Sequence, residues 1–265
     1  MGRMTEAVKH LLIINVIMFF ATQLYGDQMF QWMSLWFPKN VNFRWWQIIT
    51  HMFMHGSLMH IVFNMYALWA FGTPLERVWG RNKFLFFYFS AGLGSAALHI
   101  GVNFYYVQEA YSSISNFISK DIYYEILNVN SQVGNQFVGQ VFFENAASVL
   151  RSKGIDPQFL NIDFPALFHA HTSLKIPAVG ASGAIYGILV AFAFMYSEAK
   201  LMLIFLPVPI KAKYFVPILI AVDLIFGIGN VNTGVAHFAH IGGALIGFIM
   251  MWYWKKNQFN NKRWD

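Results

Sequence analysis

An all-α, multi-pass membrane protein is the fold class this sequence predicts, and two observations carry that expectation. Of its 265 residues 57% are hydrophobic and only 11% are charged, less than half the roughly 25% charged residues of a soluble domain. The apolar residues also gather in six separate runs, and the mean hydropathy is +0.46. Disorder, a collagen-like fibre, a coiled coil and a soluble enzyme fit poorly with such a composition. With no cysteine there is no disulfide framework, thiolate metal site or cysteine nucleophile. A net charge of +6 would ordinarily raise nucleic acid as a partner. Here the basic residues are spread over several short loops, so the lipid bilayer is the expected partner and nucleic acid is not.

The runs are Leu11–Tyr25, Leu58–Phe71, Phe84–Tyr106, Gly180–Tyr196, Tyr214–Ile228 and Phe238–Trp254. A helix needs roughly 17–25 mostly apolar residues to cross the hydrocarbon core. Several runs are shorter and carry polar residues, as inner helices of a bundle do. The first opens after Lys9-His10 without a small-residue cleavage site and reads as a retained span. Six crossings place both termini on one side. That side holds Arg3, Lys9, Arg77, Arg81, Lys83, Lys200, Lys211, Lys213, Lys255, Lys256, Lys262 and Arg263, 12 of the 18 basic residues. The other 6 are Lys39, Arg44, Lys120, Arg151, Lys153 and Lys175. Both termini are therefore expected to be cytoplasmic, with Trp252 and Trp254 as an interfacial anchor of the last helix. No organellar transit segment precedes the first span, so a prokaryotic plasma membrane is expected.

Two segments are not simple spans. Gly26–Gly56 holds Trp32, Trp36, Trp45 and Trp46 with Pro38 and reads as an aromatic-rich loop in the outer interface. Val107–Ile176 is far more polar. Irregular backbone cannot face lipid, so residues 107–176 are expected outside, as a small, mostly helical insert between the third and fourth helices of a single 1–265 membrane domain.

Polar residues inside spans cost about 2.5–3.5 kcal/mol when ionisable and central, so each needs a reason. They are His51, His55, His60 and Asn64 around the start of the second helix, Ser182 and Tyr186 in the fourth, Asp223 in the fifth, and His237 and His240 opening the sixth. His60, Asn64, Ser182 and His240 fall near the outer ends of three helices. A serine in Gly180-Ala181-Ser182-Gly183 is most often a packing residue. The pattern is not a Gly-x-Ser-x-Gly elbow, since position 184 is Ala, and no strand precedes it. Pro177 and the small residues suggest that the helix begins near Gly180. Its first N–H groups then lack intrahelical partners and face an oxyanion formed at Ser182.

Such a serine needs a base, and His240 is the candidate. Gly243 and Gly247 form a small-xxx-small seam matched by Gly183 and Gly187, so docking the seams brings His240 to Ser182. A histidine at a helix end is more often an interfacial hydrogen-bonder, and the paired seams shift the balance towards a dyad. His60 and Asn64, at i and i+4, share one face and can donate hydrogen bonds to an oxyanion; the bland alternative is a polar pair bonding loop backbone. No His-Glu-x-x-His occurs, so no metal site is expected, and His51 and His55 read as loop-anchoring hydrogen-bonders. Asp223 could orient His240 as the third member of a triad, but it sits mid-span, about 9–10 Å deeper than Asn230 by helical rise, so a Ser–His dyad is favoured and Asp223 is expected to pair elsewhere in the bundle.

His55-Gly56-Ser57-Leu58-Met59-His60-Ile61-Val62-Phe63-Asn64, Gly180-Ala181-Ser182-Gly183 with Tyr186, and Ala239-His240 with Gly243 and Gly247 together resemble the rhomboid family of intramembrane serine proteases. The resemblance spans almost the whole chain outside the insert. It implies a six-helix rhomboid-like bundle with Ser182 as nucleophile and His240 as general base. His60, Asn64 and the Ser182 N–H would form the oxyanion hole. It also implies that Tyr186 packs on the His240 imidazole and that Glu76 and Arg77 sit in the turn after the second helix. The family often carries Trp-Arg in the loop before the second helix; here the pair is Trp46-Gln47. The insert resembles extracytoplasmic inserts of one bacterial branch. The expected activity is cleavage of single-pass transmembrane proteins near the outer face, with no cofactor. The alternatives are a catalytically inactive rhomboid-like protein that binds membrane clients and a small transporter. The last lacks the inverted repeat of broken helices that transporters show.

Overall fold

The computed structural model describes residues 3–134, 136–159, 162–203, 206–229 and 235–257. Asn230, Lys262 and Arg263, used above for depth and orientation, lie outside the described residues. In chain order the elements are α1 (Glu6–Tyr25), α2 (Asp27–Met33), α3 (Gln47–Thr50), α4 (Leu58–Ala67), α5 (Thr73–Trp79), α6 (Arg81–Ile114) and α7 (Lys120–Leu127). A short hairpin of β1 (Gln132–Val133) and β2 (Gln136–Phe137) precedes α8 (Gly139–Ser152) and α9 (Phe164–Lys175). Then come α10 (Ser182–Met195), an antiparallel hairpin of β3 (Lys200–Leu203) and β4 (Leu206–Lys211), α11 (Ala212–Ile228) and α12 (His237–Asn257).

Each of the six apolar runs folds as helix, but they differ in length. Among the described residues α1 and α6 alone are long and apolar enough, by length and composition, to cross a bilayer unaided, whereas α10 is a shorter apolar helix of 14 residues. The second run is α4 and a π-helical segment, Leu68–Gly72, which leads into α5. The aromatic-rich segment Gly26–Gly56 is less of a loop than its composition suggests, since it holds α2, α3 and a 3-10 turn at His51–Phe53. Gln47, which stands where the rhomboid family often has Arg, is buried and donates from Nε2 to the Gln31 carbonyl at 3.0 Å. Beside it Trp46 Nε1 donates to the Trp32 carbonyl at 2.9 Å. The two residues thus fasten α3 to the end of α2.

The chain divides into two compact units. The first comprises Met1–Leu35, Trp45–His99 and Ala178–Asp265. In it α1 buries Val8, Leu11, Asn15 and Thr22 along one stripe. Its opposite stripe, Ile13, Ile17, Phe20 and Leu24, is exposed, Leu24 to 81%. A helix apolar on both stripes needs an apolar solvent on the outer one.

The N-terminal turn of α1 is capped from a distance. Thr5, at its N-cap, makes no side-chain bond to its own helix. Its hydroxyl donates instead to Glu76 Oε2 at 2.5 Å, and the Ala7 and Val8 N–H groups donate to Glu76 Oε1 and Oε2 at 2.8 and 2.9 Å. One buried carboxylate of α5 therefore satisfies two of the orphan donors of α1 and complements its dipole. Next to it, the Arg77 guanidinium donates to the Arg3 carbonyl. Glu76→Gln keeps the shape and removes the charge, so it is expected to lower stability by about 1–3 kcal/mol and to speed hydrogen exchange at Ala7 and Val8 before any other part of α1.

Helices α10, α12 and α6 meet along small residues. A methyl group at Gly243 would lie 1.8 Å from the Gly183 carbonyl oxygen, and one at Gly247 would lie 2.7 Å from Gly187 Cα. From α6, Ser95 and Ala91 fill the space a side chain would need at Gly183 and Gly187, while Gly94 accommodates Ile246. Backbones this close gain dispersion contact along their length, the force available between helices where lipid is as apolar as leucine.

The second unit is Trp36–Arg44 with Ile100–Pro177, wider than the 107–176 read from polarity. Polarity misses Trp36–Arg44 because that stretch is tied in by contacts distant in sequence. Asn40 Nδ2 donates to the Leu174 carbonyl at 2.8 Å, and Phe37 stacks on Phe104. The unit has its own core around Ile114, Tyr123, Phe142, Leu150, Leu167 and Ala170. Ser119 and Asp163 cap α7 and α9.

At the centre of the second unit His171 is fully buried and stacked on Phe142. Its Nδ1 is 2.8 Å from the Leu127 carbonyl, which can only accept, so Nδ1 carries the proton and Nε2 accepts from the Ser131 hydroxyl at 2.6 Å. Burial, first of all, lowers its pKa from 6.5 to about 4. The folded state thus binds fewer protons than the unfolded state between those values, and stability of this unit falls as pH drops from 6.5 towards 4, by up to about 3 kcal/mol. His169, lowered by burial too, adds to the same slope. Exchange protection of α8 and α9, corrected for intrinsic rates, is expected to follow that decline in the full-length protein and to follow it less steeply in His171→Gln.

Candidate active site

Three segments bring the polar residues of the first unit together. The Ser57 hydroxyl caps α4 by accepting from the His60 N–H at 3.2 Å, which sets His60 in the first turn and Asn64 one turn later. The segment entering α10 is pinned twice. Leu35 and Ala178 exchange backbone hydrogen bonds, both at 2.9 Å, and the Gly180 N–H donates to the His51 carbonyl at 2.9 Å. Gly180 has φ +122°, a backbone conformation that disfavours any side chain. For that reason the helix starts at Ser182, two residues later than the small-residue run suggests.

Ser182 is the first residue of α10, where its own N–H and the next two have no intrahelical acceptor. Its Oγ lies 2.8 Å from His240 Nε2. Ser182 and His240 are 58 residues apart in sequence, and the Gly183–Gly243 and Gly187–Gly247 approaches bring them together. The Tyr186 ring lies flat on the His240 imidazole, with centroids 4.2 Å apart and planes 15° from parallel.

Gly180 also marks where His60 stands. A methyl group there would lie 2.8 Å from His60 Nε2 and 3.5 Å from Ser182 Oγ, so both polar atoms border the same point. Asn64 is buried, and its Nδ2 donor has no hydrogen-bond partner among the described residues. A buried unpaired donor is costly and calls for an acceptor that arrives from elsewhere.

The loop histidines differ from each other. His51 is a hydrogen-bonder, with Nδ1 2.8 Å from the Gln47 carbonyl. His55 packs its ring edge-on against His60, with centroids 5.0 Å apart. Among the described residues no group of three His, Cys, Asp or Glu side chains is placed to hold a metal ion.

Asp223 differs most from the expectation. Instead of pairing away from the serine and histidine, its Oδ1 lies 3.2 Å from His240 Nδ1 and 2.5 Å from His237 Nδ1, and its Oδ2 accepts from the Tyr186 hydroxyl. The ends of the two helices set its true depth. Helix α11 ends at Ile228, so Asp223 lies about 7–8 Å inside it, while His240 lies about 4–5 Å inside α12. The two depths differ by only one side-chain length. In the sequence His237 stands out only as a polar residue, but its i, i+3 spacing from His240 places both rings on one face.

The sequence matches the profile of the Rhomboid domain over residues 42–113 and 158–257. Those ranges include His60, Asn64, Ser182, Tyr186, Asp223, His237 and His240, and leave out the middle of the insert. Most of the chain is matched, both ranges carry residues of this constellation, and the chain belongs to the rhomboid family of integral membrane proteins, most of which are intramembrane serine proteases.

Proposed function

We propose that this protein is an intramembrane serine endopeptidase that cleaves single-pass transmembrane proteins near the outer membrane face. The observation that carries the reading is the 2.8 Å approach of Ser182 Oγ to His240 Nε2 at the open N-terminal end of α10. Ser182 Oγ attacks the scissile carbonyl carbon as its proton passes to Nε2. The oxyanion is received by the Ser182 N–H together with His60 and the unpaired Asn64 donor. Collapse expels the amine, which takes the proton from His240 and leaves an acyl-enzyme. Water, activated by the same imidazole, then releases the acid. Serine, histidine and hydrogen-bond donors supply all of this chemistry, so the mechanism calls for no cofactor.

The proposed topology is a six-helix bundle with both termini in the cytoplasm of a bacterial cell. The exposed apolar stripe of α1 and the uneven spread of lysine and arginine support it. In that topology α10 and α12 both run inward from the outer face, which places their first turns, and the dyad, just beneath it. Residues 107–176 are then proposed to lie outside the membrane. A helical substrate hides its carbonyls, so cleavage favours helix ends and segments loosened by Gly or Pro.

The test is reconstitution of the full chain in vesicles with a single-pass substrate. The reading expects one cut near one membrane face by wild type and none by Ser182→Ala. Binding of the substrate without any cleavage by wild type would instead support the client-binding alternative.

A further inference from the structure

Resting on that reading, we infer that Asp223 is a positioning residue for His240, so that the site works as a Ser182–His240–Asp223 triad and not as an isolated pair. The carboxylate is 5% exposed and is surrounded by donors from two helices: Tyr186 of α10, and His237 and His240 of α12. A carboxylate oxygen can only accept, so each histidine that bonds Oδ1 carries its proton on Nδ1. For His240 this leaves Nε2 with its lone pair towards the Ser182 hydroxyl 2.8 Å away, the tautomer a general base requires.

The same carboxylate fixes the ring's plane. Tyr186 stacks on the imidazole with its ring and ties its hydroxyl to Asp223 Oδ2, so one group orients the histidine from its edge and from its face. During attack the Ser182 O–H bond breaks, its proton joins Nε2, and the Oγ–C bond forms as the carbonyl electrons move to oxygen. The Nδ1 proton stays on Nδ1, and Asp223 stabilises the imidazolium without taking that proton. His237, whose Nδ1 lies 2.5 Å from the same Oδ1, also holds the carboxylate.

The experiment compares wild type, Asp223→Asn, Asp223→Glu and Ser182→Ala as full-length protein, and reads kcat and KM for a transmembrane substrate together with thermal unfolding. The amide can present an N–H to His240 and favour the wrong tautomer, so Asp223→Asn is expected to lower kcat by on the order of 10²–10⁴-fold. KM should stay within about threefold, and Asp223→Glu should recover part of kcat. A role in packing alone would lower the melting temperature and leave kcat of the folded fraction unchanged. A kcat for Asp223→Asn within threefold of wild type overturns the inference while the Ser182-dependent reading stands.

A second measurement needs no variant of Asp223. Nitrogen NMR of histidine-labelled wild type, with His240 assigned by its loss in His240→Ala, reports the tautomer directly. A proton on Nδ1 supports the positioning role of Asp223, and a proton on Nε2 overturns it. Cleavage that survives in Ser182→Ala would instead remove Ser182 as the nucleophile and with it the serine-protease reading, a failure separate from this one.

Discussion

Removing either the Ser182 hydroxyl or the His240 imidazole is expected to lower kcat by on the order of 10⁴–10⁶-fold, and removing both is expected to lower it no further. The non-additivity follows from the geometry. Ser182 Oγ and His240 Nε2 are one hydrogen bond apart, so each is of use only while the other is present. Alanine is a good helix former, and Ser182 makes no capping bond to its own helix, so Ser182→Ala should unfold like wild type. The check is a double-mutant comparison of Ser182→Ala, His240→Ala and the combined variant on one transmembrane substrate. Separate losses that multiply in the double variant would mean that the two residues act independently.

The second large effect concerns a residue with no chemistry. Gly243→Val is expected to prevent α10 and α12 from docking, and even Gly243→Ala should cost at or above the upper end of the roughly 1–3 kcal/mol seen for overpacking. The reason is that the first atom added would lie 1.8 Å from a backbone oxygen, that of Gly183, which no rotamer change can move aside. Helices forced apart also carry His240 away from Ser182, and a displacement of about 1 Å can cost roughly 10²-fold in rate. Folded Gly243→Ala is therefore expected to lose activity as well as stability. Gly101→Ala is the matched control. It is a helical glycine with open space around it and should be neutral or stabilising by up to about 1 kcal/mol. Thermal unfolding and substrate cleavage of the two variants side by side provide the measurement.

Much of this was legible in the sequence because spacing carries it. Gly183 with Gly187 and Gly243 with Gly247 announce a close helix pair, and once that pair is docked the position of His240 against Ser182 follows. Two features were not legible, for different reasons. The relation of Asp223 to His240 depends on where α11 ends and α12 begins, and a difference of a few residues there decides whether two side chains touch. The role of Glu76 as a remote cap depends on a turn of α1 some 70 residues earlier in the chain, and no local pattern reports such a pairing. The start of α10 was misjudged by two residues because composition names the small residues without their dihedral angles, and it is the positive φ of Gly180 that delays the helix.

The central claim is that the side chain at 182 is an activated nucleophile. A fluorophosphonate probe reacts covalently with such an oxygen, and peptide mapping of the adduct locates it. The account predicts a single adduct on Ser182 in wild type and none in folded His240→Ala. A folded, substrate-cleaving wild type that carries the adduct on another residue, or carries none, would contradict it.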